Sequence, residues 1–523
     1  MILNPVGATG REVEDAPAYL PGLRASLRSA WPKVWPLLAV GLAIRVLFLL
    51  VGAKIYYLGR QSDIYTNGDS YSYLLSFHNL LEYGRYTFDL TEPEAAVGRM
   101  PGYPLFYGLH YLIFGSGALQ AVAVTQLVLD TLGIWLLYTI TARLAPPNSW
   151  APALAALLLA FYPFSILWIT VLGTESLGLL LVLLWWATML LANPRRRNWA
   201  LLGALLAVIV FVREFLGVCM AITLLYLAVY AMKGRFRSTA RRPLVFALAG
   251  FLLLYTWWPV RNYMVLGRFI PLKPAAAGYA NLREDVQSAL SWMLTWTNDV
   301  TTGMDELMFA AKPSFPDEVI HTLAEKQLLD SLIVLSRSCA SSFHVRMQLQ
   351  RPDPRAGQAS LQGLDQYRKA QFANTLRHHN CNAQVSAGYD RLRESYLQRH
   401  PWKGRIAVPL QNLQKVLFKN QLKPGPDGQV SMAQRLSGVL FIWRSVLLAF
   451  GLLGAWRYRK VAGLWPGLAF SAIIFVYMAI IFRSMEMRYL LQADVVMLVP
   501  AALIIASWLP RRLQKSIRTT VAA

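Results

Sequence analysis

Charge is scarce in this sequence and unevenly signed: 15% of the 523 residues are charged, and 28 acidic residues face 51 basic ones. So little charge, beside 55% hydrophobic residues, excludes a soluble protein built on one or two ordinary cores and makes a bilayer the natural solvent. Cysteine is nearly absent. Three residues rule out a disulfide scaffold and match no zinc spacing. Cys219 sits in an apolar run as packing, while Cys339 and Cys381 share a long polar region where a disulfide between them is left open. No glycine-rich phosphate loop and no nucleotide-binding strand-turn-helix occurs, so a nucleotide-activated substrate has no support. No internal repeat occurs either, which counts against repeat-built transporter folds. The first 35 residues carry both charge signs, and the apolar run after them lacks a small-residue cleavage site, so they read as a retained signal anchor.

What is present is a series of apolar runs. A transmembrane helix needs about 20 apolar residues, fewer where flanking side chains snorkel. About ten runs qualify, near 36–53, 118–142, 150–172, 177–192, 199–213, 215–232, 243–260, 437–455, 462–482 and 490–509. The net charge of +23 is dispersed among short loops between them, which excludes a nucleic-acid patch. Arg24, Arg28 and Lys33, the triplet Arg195-Arg196-Arg197, the stretch Lys233 to Arg242, Arg457 to Lys460, and Arg511 to Arg518 all fall inside if there are ten spans and both termini are cytoplasmic.

The expected architecture is therefore an all-α polytopic membrane protein. Its parts are a cytoplasmic segment 1–35, an N-terminal transmembrane module 36–260 with a first outer loop 54–117, an extracytoplasmic domain 261–436, C-terminal transmembrane helices 437–510 and a cytoplasmic tail 511–523. The stretch 101–115, PGYPLFYGLHYLIFG, is short and opens on proline and glycine; it reads as a juxtamembrane helix lying at the membrane surface. The 261–436 domain reads as mostly helical, since DEVIHTLAEKQLLDSLIVL spaces its apolar residues at helical intervals. Arg45 and Asp130 fall near the middle of the first two spans, where an unpaired charge is costly, and are expected to pair with each other. A structural ion pair is the simpler reading of that couple, a proton relay the other.

Four separated segments bring charged groups to the outer edge. The first runs from Asn67-Gly68-Asp69-Ser70-Tyr71 to Gly98-Arg99-Met100-Pro101-Gly102-Tyr103-Pro104, and the second is Gly173-Thr174-Glu175-Ser176. The third is Trp257-Trp258-Pro259-Val260-Arg261-Asn262-Tyr263, and the fourth Arg483-Ser484-Met485-Glu486-Met487-Arg488-Tyr489. Taken singly, each such residue is more often a solvated or interface-anchoring side chain. Together they offer two carboxylates, Asp69 and Glu175, able to act as a base, and four arginines, Arg99, Arg213, Arg261 and Arg488. Arginine suits a departing phosphate because its planar fork binds oxygens bidentately and stays charged.

The order of these segments resembles the GT-C superfamily of membrane glycosyltransferases, in the branch of the dolichyl-phosphate-mannose protein mannosyltransferases and the bacterial aminoarabinose lipid A transferases. The resemblance covers nearly the whole chain except much of 285–436. It implies a GT-C-like bundle with juxtamembrane helices in the first outer loop. It assigns the catalytic-base position to Asp69, with Tyr71 after it and the Pro-rich entry at Pro101 and Pro104; Ser70 stands where several members have a second acid. Arg99 takes the place of the basic residue that contacts the carrier phosphate, and Glu175 matches the acid of the second outer loop. The family's Pro-Trp-x-x-Arg-Asn exit appears with Trp258 and Pro259 exchanged, ahead of Arg261 and Asn262, and the Glu-x-Arg-Tyr turn is intact at Glu486, Arg488 and Tyr489.

The resemblance implies inverting transfer of a sugar from a polyprenyl-phosphate donor to a glycan, lipid or protein acceptor. Asp69, with Glu175, would serve the acceptor; Arg99, Arg261 and Arg488 would bind the donor phosphate; Tyr71, Tyr103, Arg213, Asn262, Glu486 and Tyr489 would support the substrates. No cofactor is required by this scheme. Related oligosaccharyltransferases use a divalent metal, but two carboxylates are few for an octahedral site. The expected location is a bacterial inner membrane with the site facing the periplasm or cell exterior. The competing reading is a transporter or flippase for a lipid-linked sugar, which would want polar groups near the midplane rather than at one face.

Overall fold

The computed structural model describes residues 22–57, 63–90, 93–191, 196–232, 237–273, 284–298, 300–310, 312–339, 342–344, 381–418, 432–482 and 486–508. Among them every regular element is helical. The membrane part comprises α1 (Leu23–Leu47), α2 (Gly68–Tyr83), α3 (Gly102–Phe114), α4 (Ala118–Leu144), α5 (Ala151–Ala160), α6 (Glu175–Leu191), α7 (Arg196–Val212), α8 (Val218–Met232), α9 (Arg237–Tyr255) and α10 (Trp257–Leu266). The polar region folds as α11 (Glu284–Trp296), α12 (Val300–Phe309), α13 (Leu323–Ser338), α14 (Asn382–Arg399) and α15 (Val408–Leu417), and the chain re-enters as α16 (Met432–Arg457), α17 (Trp465–Val476) and α18 (Met487–Trp508).

Six helical stretches are long and apolar enough to cross a bilayer: Leu23–Tyr57, Gly102–Leu144, Arg242–Leu266, Arg435–Arg457, Ala462–Ile481 and Met487–Trp508. Four shorter apolar helices, Ala151–Ala160, Glu175–Leu191, Arg197–Val212 and Glu214–Ala228, stand at the other four expected positions. The protein is an integral membrane protein; among the described residues six helices have the length and composition of a span, and the other four expected spans are not confirmed. The basic tail at 511–518 and part of the other basic clusters lie outside the described residues.

The largest departure from expectation is at 150–172. Pro163 lacks the N–H a helix interior needs, so α5 stops at Ala160, one short turn follows at Pro163–Ile166, and 167–174 runs as irregular backbone. Irregular backbone at this depth is tolerated only where its polar groups find partners. They do. Gln126 donates its amide to the carbonyls of Ile169 (3.1 Å) and Val171 (2.9 Å), Ser70 donates to Leu172 O (2.7 Å), and Leu172 N donates to Tyr65 O (2.7 Å).

Two arginine–carboxylate pairs lock the bundle from within. Arg45 on α1 meets Asp130 on α4, with Nη2 to Oδ2 at 2.5 Å and both side chains fully buried. Its remaining donors reach the carbonyls of Gly41, Leu159 and Ala160, so it also caps the broken end of α5. This is the pairing the sequence led us to expect. Arg444 on α16 grips Asp494 on α18 through both carboxylate oxygens (2.7 and 2.8 Å), and Tyr162 donates to the same carboxylate. Arg444 also donates to Val416 O, fixing the end of α15 to the bundle.

The polar region carries its own core, in which Trp292, Met293, Leu332, Val385, Tyr389 and Tyr396 pack together. α13 begins with a capping box: Thr322 accepts from Glu325 N, while Glu325 accepts from the backbone N–H of Thr322. Cys339 and Cys381 form a disulfide across it.

Candidate active site at one end of the bundle

The site begins with the start of α2. Asn67 accepts from the backbone N–H groups of Asp69 and Ser70, and the Ser70 hydroxyl oxygen accepts from the backbone N–H of Asn67, closing a capping box that puts Asp69 in the first turn. A carboxylate is favoured there by the positive end of the helix dipole. Ser70 thus caps α2 and ties it to Leu172.

Arg99 arrives from the loop ahead of α3. That loop packs closely because residue 102 is glycine: a Cβ there would stand 2.7 Å from the backbone of Phe211, beside Arg213. Glu175 opens α6 behind Gly173, whose own Cβ would collide with the Glu175 carboxylate. Arg488 lies at the start of α18.

These elements enclose a cavity of about 130 Å³ lined by Asp69, Arg99, Glu175, Arg213, Arg488 and Tyr489, together with Glu214 and Lys273. Asp69 is clasped from two sides. Arg99 Nη2 donates to Oδ1 at 2.8 Å, and Arg488 Nη1 donates to Oδ2. Arg99 is itself steered by Ser72, which accepts from its Nε at 2.6 Å, and by the ring of Tyr73, 4.7 Å beneath its guanidinium carbon. Arg488 pairs on its other edge with Glu486 at 2.5 Å and lies over Tyr489. Arg213 pairs with Glu175 (3.1 Å) between the rings of Phe215 and Tyr489. Lys273 pairs with Glu214 at 2.8 Å. Burial alone would raise the Asp69 carboxyl, but the two guanidiniums overcome it and hold the group well below the usual carboxylate range.

Six of the residues singled out from the sequence therefore meet in one cavity: Asp69, Glu175, Arg99, Arg213, Arg488 and Tyr489, with Glu486 at its rim. Four do not line it. Tyr71 is buried in an apolar cluster with Leu74 and Leu75. Tyr103 stands behind the wall, donating to Gln126 (2.6 Å) and accepting from Gly173 N (2.8 Å). Asn262 holds Ile270 O, and Arg261 donates to the carbonyls of Tyr86 and Ala96, both at 2.7 Å. Arg261 thus braces the loop that delivers Arg99 instead of facing the cavity. Sequence reasoning missed Glu214 and Lys273. Glu214 had a signal, sitting next to Arg213 in an outer turn; Lys273 had none.

Each of the three cavity carboxylates is held by a cation, and no group of three or more His, Cys, Asp or Glu residues suited to a metal occurs among the described residues.

Residues 98–260, the stretch holding Arg99, Glu175, Arg213 and the Trp258-Pro259 exit, match the family model described as dolichyl-phosphate-mannose-protein mannosyltransferase. No curated protein matches the chain. Among solved structures, the archaeal oligosaccharyltransferase AglB from Archaeoglobus fulgidus, in complex with an inhibitory peptide and a dolichol-phosphate, aligns at 14% identity over 95% of this chain and 52% of its own, with a TM-score of 0.48. ArnT from Cupriavidus metallidurans bound to undecaprenyl phosphate aligns at 15% identity over 88% of this chain and 76% of its own, with a TM-score of 0.32. The chain spans about half the length of the archaeal enzyme. Over residues 98–260, then, the chain is similar to the dolichyl-phosphate-mannose-protein mannosyltransferase family.

Proposed function

We propose that this protein is an inverting glycosyltransferase that moves a sugar from a polyprenyl-phosphate carrier to an acceptor at the outer face of the membrane. The observation that carries the reading is Asp69 clasped between Arg99 and Arg488 in a cavity at one end of the bundle. A carboxylate beside two guanidiniums offers the two groups the reaction needs, a proton acceptor for the attacking hydroxyl and positive charge for the departing phosphate. The acceptor oxygen forms its bond to the anomeric carbon as the bond to phosphate oxygen breaks. The proton passes to Asp69, and the electron pair leaves with the phosphate, towards Arg99 and Arg488.

Glu175 and Arg213 form the far wall, and we assign them to holding the acceptor or the sugar. Arg261 and Asn262 act one step removed, through the loop that presents Arg99. An outward-facing site is supported by the Cys339–Cys381 bond, since disulfides persist in oxidising compartments such as a periplasm or cell exterior. Purified full-length protein given a polyprenyl-phosphate sugar and candidate acceptors, beside Asp69→Asn, tests the reading. Sugar transfer that the variant loses while remaining folded supports it. Movement of the lipid-linked sugar across the bilayer that survives the substitution, with no transfer, overturns it in favour of a flippase.

A further inference from the structure

The cavity's cations are all engaged with carboxylates of the protein itself: Arg99 and Arg488 with Asp69, Arg213 with Glu175, Lys273 with Glu214. For Asp69 this has a chemical cost. Each of its oxygens accepts from a different guanidinium, so the residue assigned as base has both oxygens occupied and is a weak proton acceptor. The same two arginines, while they hold Asp69, are not available to a phosphate. Neither half of the proposed chemistry can proceed from this arrangement without the other half changing.

We infer that the Arg99–Asp69–Arg488 cluster is a self-blocked ground state, opened when the donor's phosphate replaces the Asp69 carboxylate on the two arginines. The inference rests on the glycosyltransferase reading above. Charge balances in the exchange: a polyprenyl phosphosugar is a phosphodiester with one negative charge, so it substitutes for one carboxylate. Asp69 at 20% side-chain exposure lies at the cavity wall with room to turn from its partners. Once released, its carboxylate is no longer depressed by two adjacent cations and can take the acceptor's proton. After transfer, Asp69 carries that proton and the arginines hold a phosphomonoester. Loss of the proton to solvent restores the carboxylate, which then competes for the guanidiniums and helps displace the polyprenyl phosphate. The device makes donor binding a precondition for an active base, which guards against attack by a hydroxyl in the absence of the lipid carrier.

A consequence runs against the usual expectation for a catalytic residue. Replacing Asp69 by Asn removes the internal competitor, so the variant binds undecaprenyl phosphate at least about fivefold more tightly than the wild type, while turnover is lost. Binding is measured on the full-length protein in lipid nanodiscs, with undecaprenol lacking the phosphate as the control that sees no difference. Loss of one negative charge from the cavity would also favour an anion without any exchange, so Glu214→Gln, which removes an equal charge from the same cavity but frees neither Arg99 nor Arg488, separates the two. The exchange requires that Glu214→Gln gain far less than Asp69→Asn; an equal gain overturns it. Equal or weaker binding by Asp69→Asn, with wild-type binding intact, overturns the exchange and leaves the glycosyltransferase reading standing. Failure of the wild type and the variant alike to bind undecaprenyl phosphate overturns both. Should the variants not fold, the infrared difference spectrum of the wild type decides: adding undecaprenyl phosphate must shift an aspartate carboxylate band, and an unshifted band with bound lipid overturns the exchange.

Discussion

Two regions of this protein use the same chemical pair to opposite ends. Inside the bundle, Arg45–Asp130 and Arg444–Asp494 are buried, with side-chain exposures of 0–4%. Both arginines spend their remaining donors on backbone carbonyls, at the end of α5 for Arg45 and at the end of α15 for Arg444. At the outer end, Asp69, Arg99 and Arg488 line a cavity, and their side chains are 11–20% exposed. A guanidinium held by a carboxylate and several carbonyls has nothing left to give a ligand. One that meets carboxylates at a cavity wall, as Arg99 and Arg488 meet Asp69, can change partners. Burial and the saturation of donors, rather than residue type, separate a lock from a site.

The strongest way to break that comparison is to open a lock. Arg444→Leu leaves Asp494 charged and buried with only Tyr162 beside it, which should cost about 3–5 kcal/mol. Thermal unfolding of the purified protein should show a large drop in midpoint, and Arg444→Leu/Asp494→Leu should recover much of it. A single variant as stable as the wild type would mean that the pair fixes nothing. Next in size is the pH behaviour of the outer cluster. The free protein holds the Asp69 carboxyl well below its usual range, so the acid limb of kcat/KM owed to Asp69 should be missing down to about pH 4. With donor bound the arginines have moved to phosphate, the carboxyl rises, and the acid limb of kcat should sit at higher pH than that of kcat/KM. Coincident limbs would contradict the difference drawn here between a fixed and an exchangeable pair.

A smaller effect lies between the two regions, in the irregular backbone that carries Glu175 to the cavity. Gln126 holds two carbonyls of this segment and accepts from Tyr103, which in turn accepts from Gly173 N. Gln126→Leu strands these groups at about 1–3 kcal/mol in all. The expected result is a roughly tenfold fall in kcat, with undecaprenyl phosphate affinity unchanged because Arg99 and Arg488 stay in place. A variant that weakens the lipid and spares kcat would place the segment's role elsewhere.

Much of this contrast was legible in the sequence. Charges in the middle of apolar runs flagged Arg45 and Asp130, and the same signal stood at Arg444 and Asp494 within the runs 437–455 and 490–509, where it went unused. The four segments located Asp69, Glu175, Arg99 and Arg488, and the end of the run 199–213 located Arg213, because a charge beside a span end can only face the membrane edge. What sequence could not supply was direction. Arg261 sits in a motif that reads as phosphate-binding, yet its planar fork fits the carbonyls of Tyr86 and Ala96 equally well, and only the path of the 86–99 loop decides. Lys273 reaches Glu214 because the chain turns back after α10 at Gly267, whose φ of 66° is open to glycine; nothing in the spacing pairs the two. The break after α5 falls at Pro163, inside the run 150–172 that the sequence presents as one span.

The comparison sharpens if a third setting is added, in which hydroxyl and backbone donors join the same pair. In the polar region Glu325 accepts from Arg399 and Ser395 and from the backbone N–H groups of His321 and Thr322. Burial by itself would raise its carboxyl, but these donors prevail and hold it down to about 2 from the ordinary 4.5. A carboxyl depressed on folding contributes stability that is fully present above its ordinary value and is lost as pH falls towards the depressed one. Acidification from about pH 5 to pH 3 should therefore lower the unfolding midpoint of this module, by an amount equivalent to roughly 1–2 kcal/mol for this group. Glu325→Gln should lower the midpoint at neutral pH and flatten its dependence over the same interval. Hydrogen exchange of α13 and α14 against pH reads the effect locally, and an undiminished slope in the variant would assign the acid sensitivity to another group.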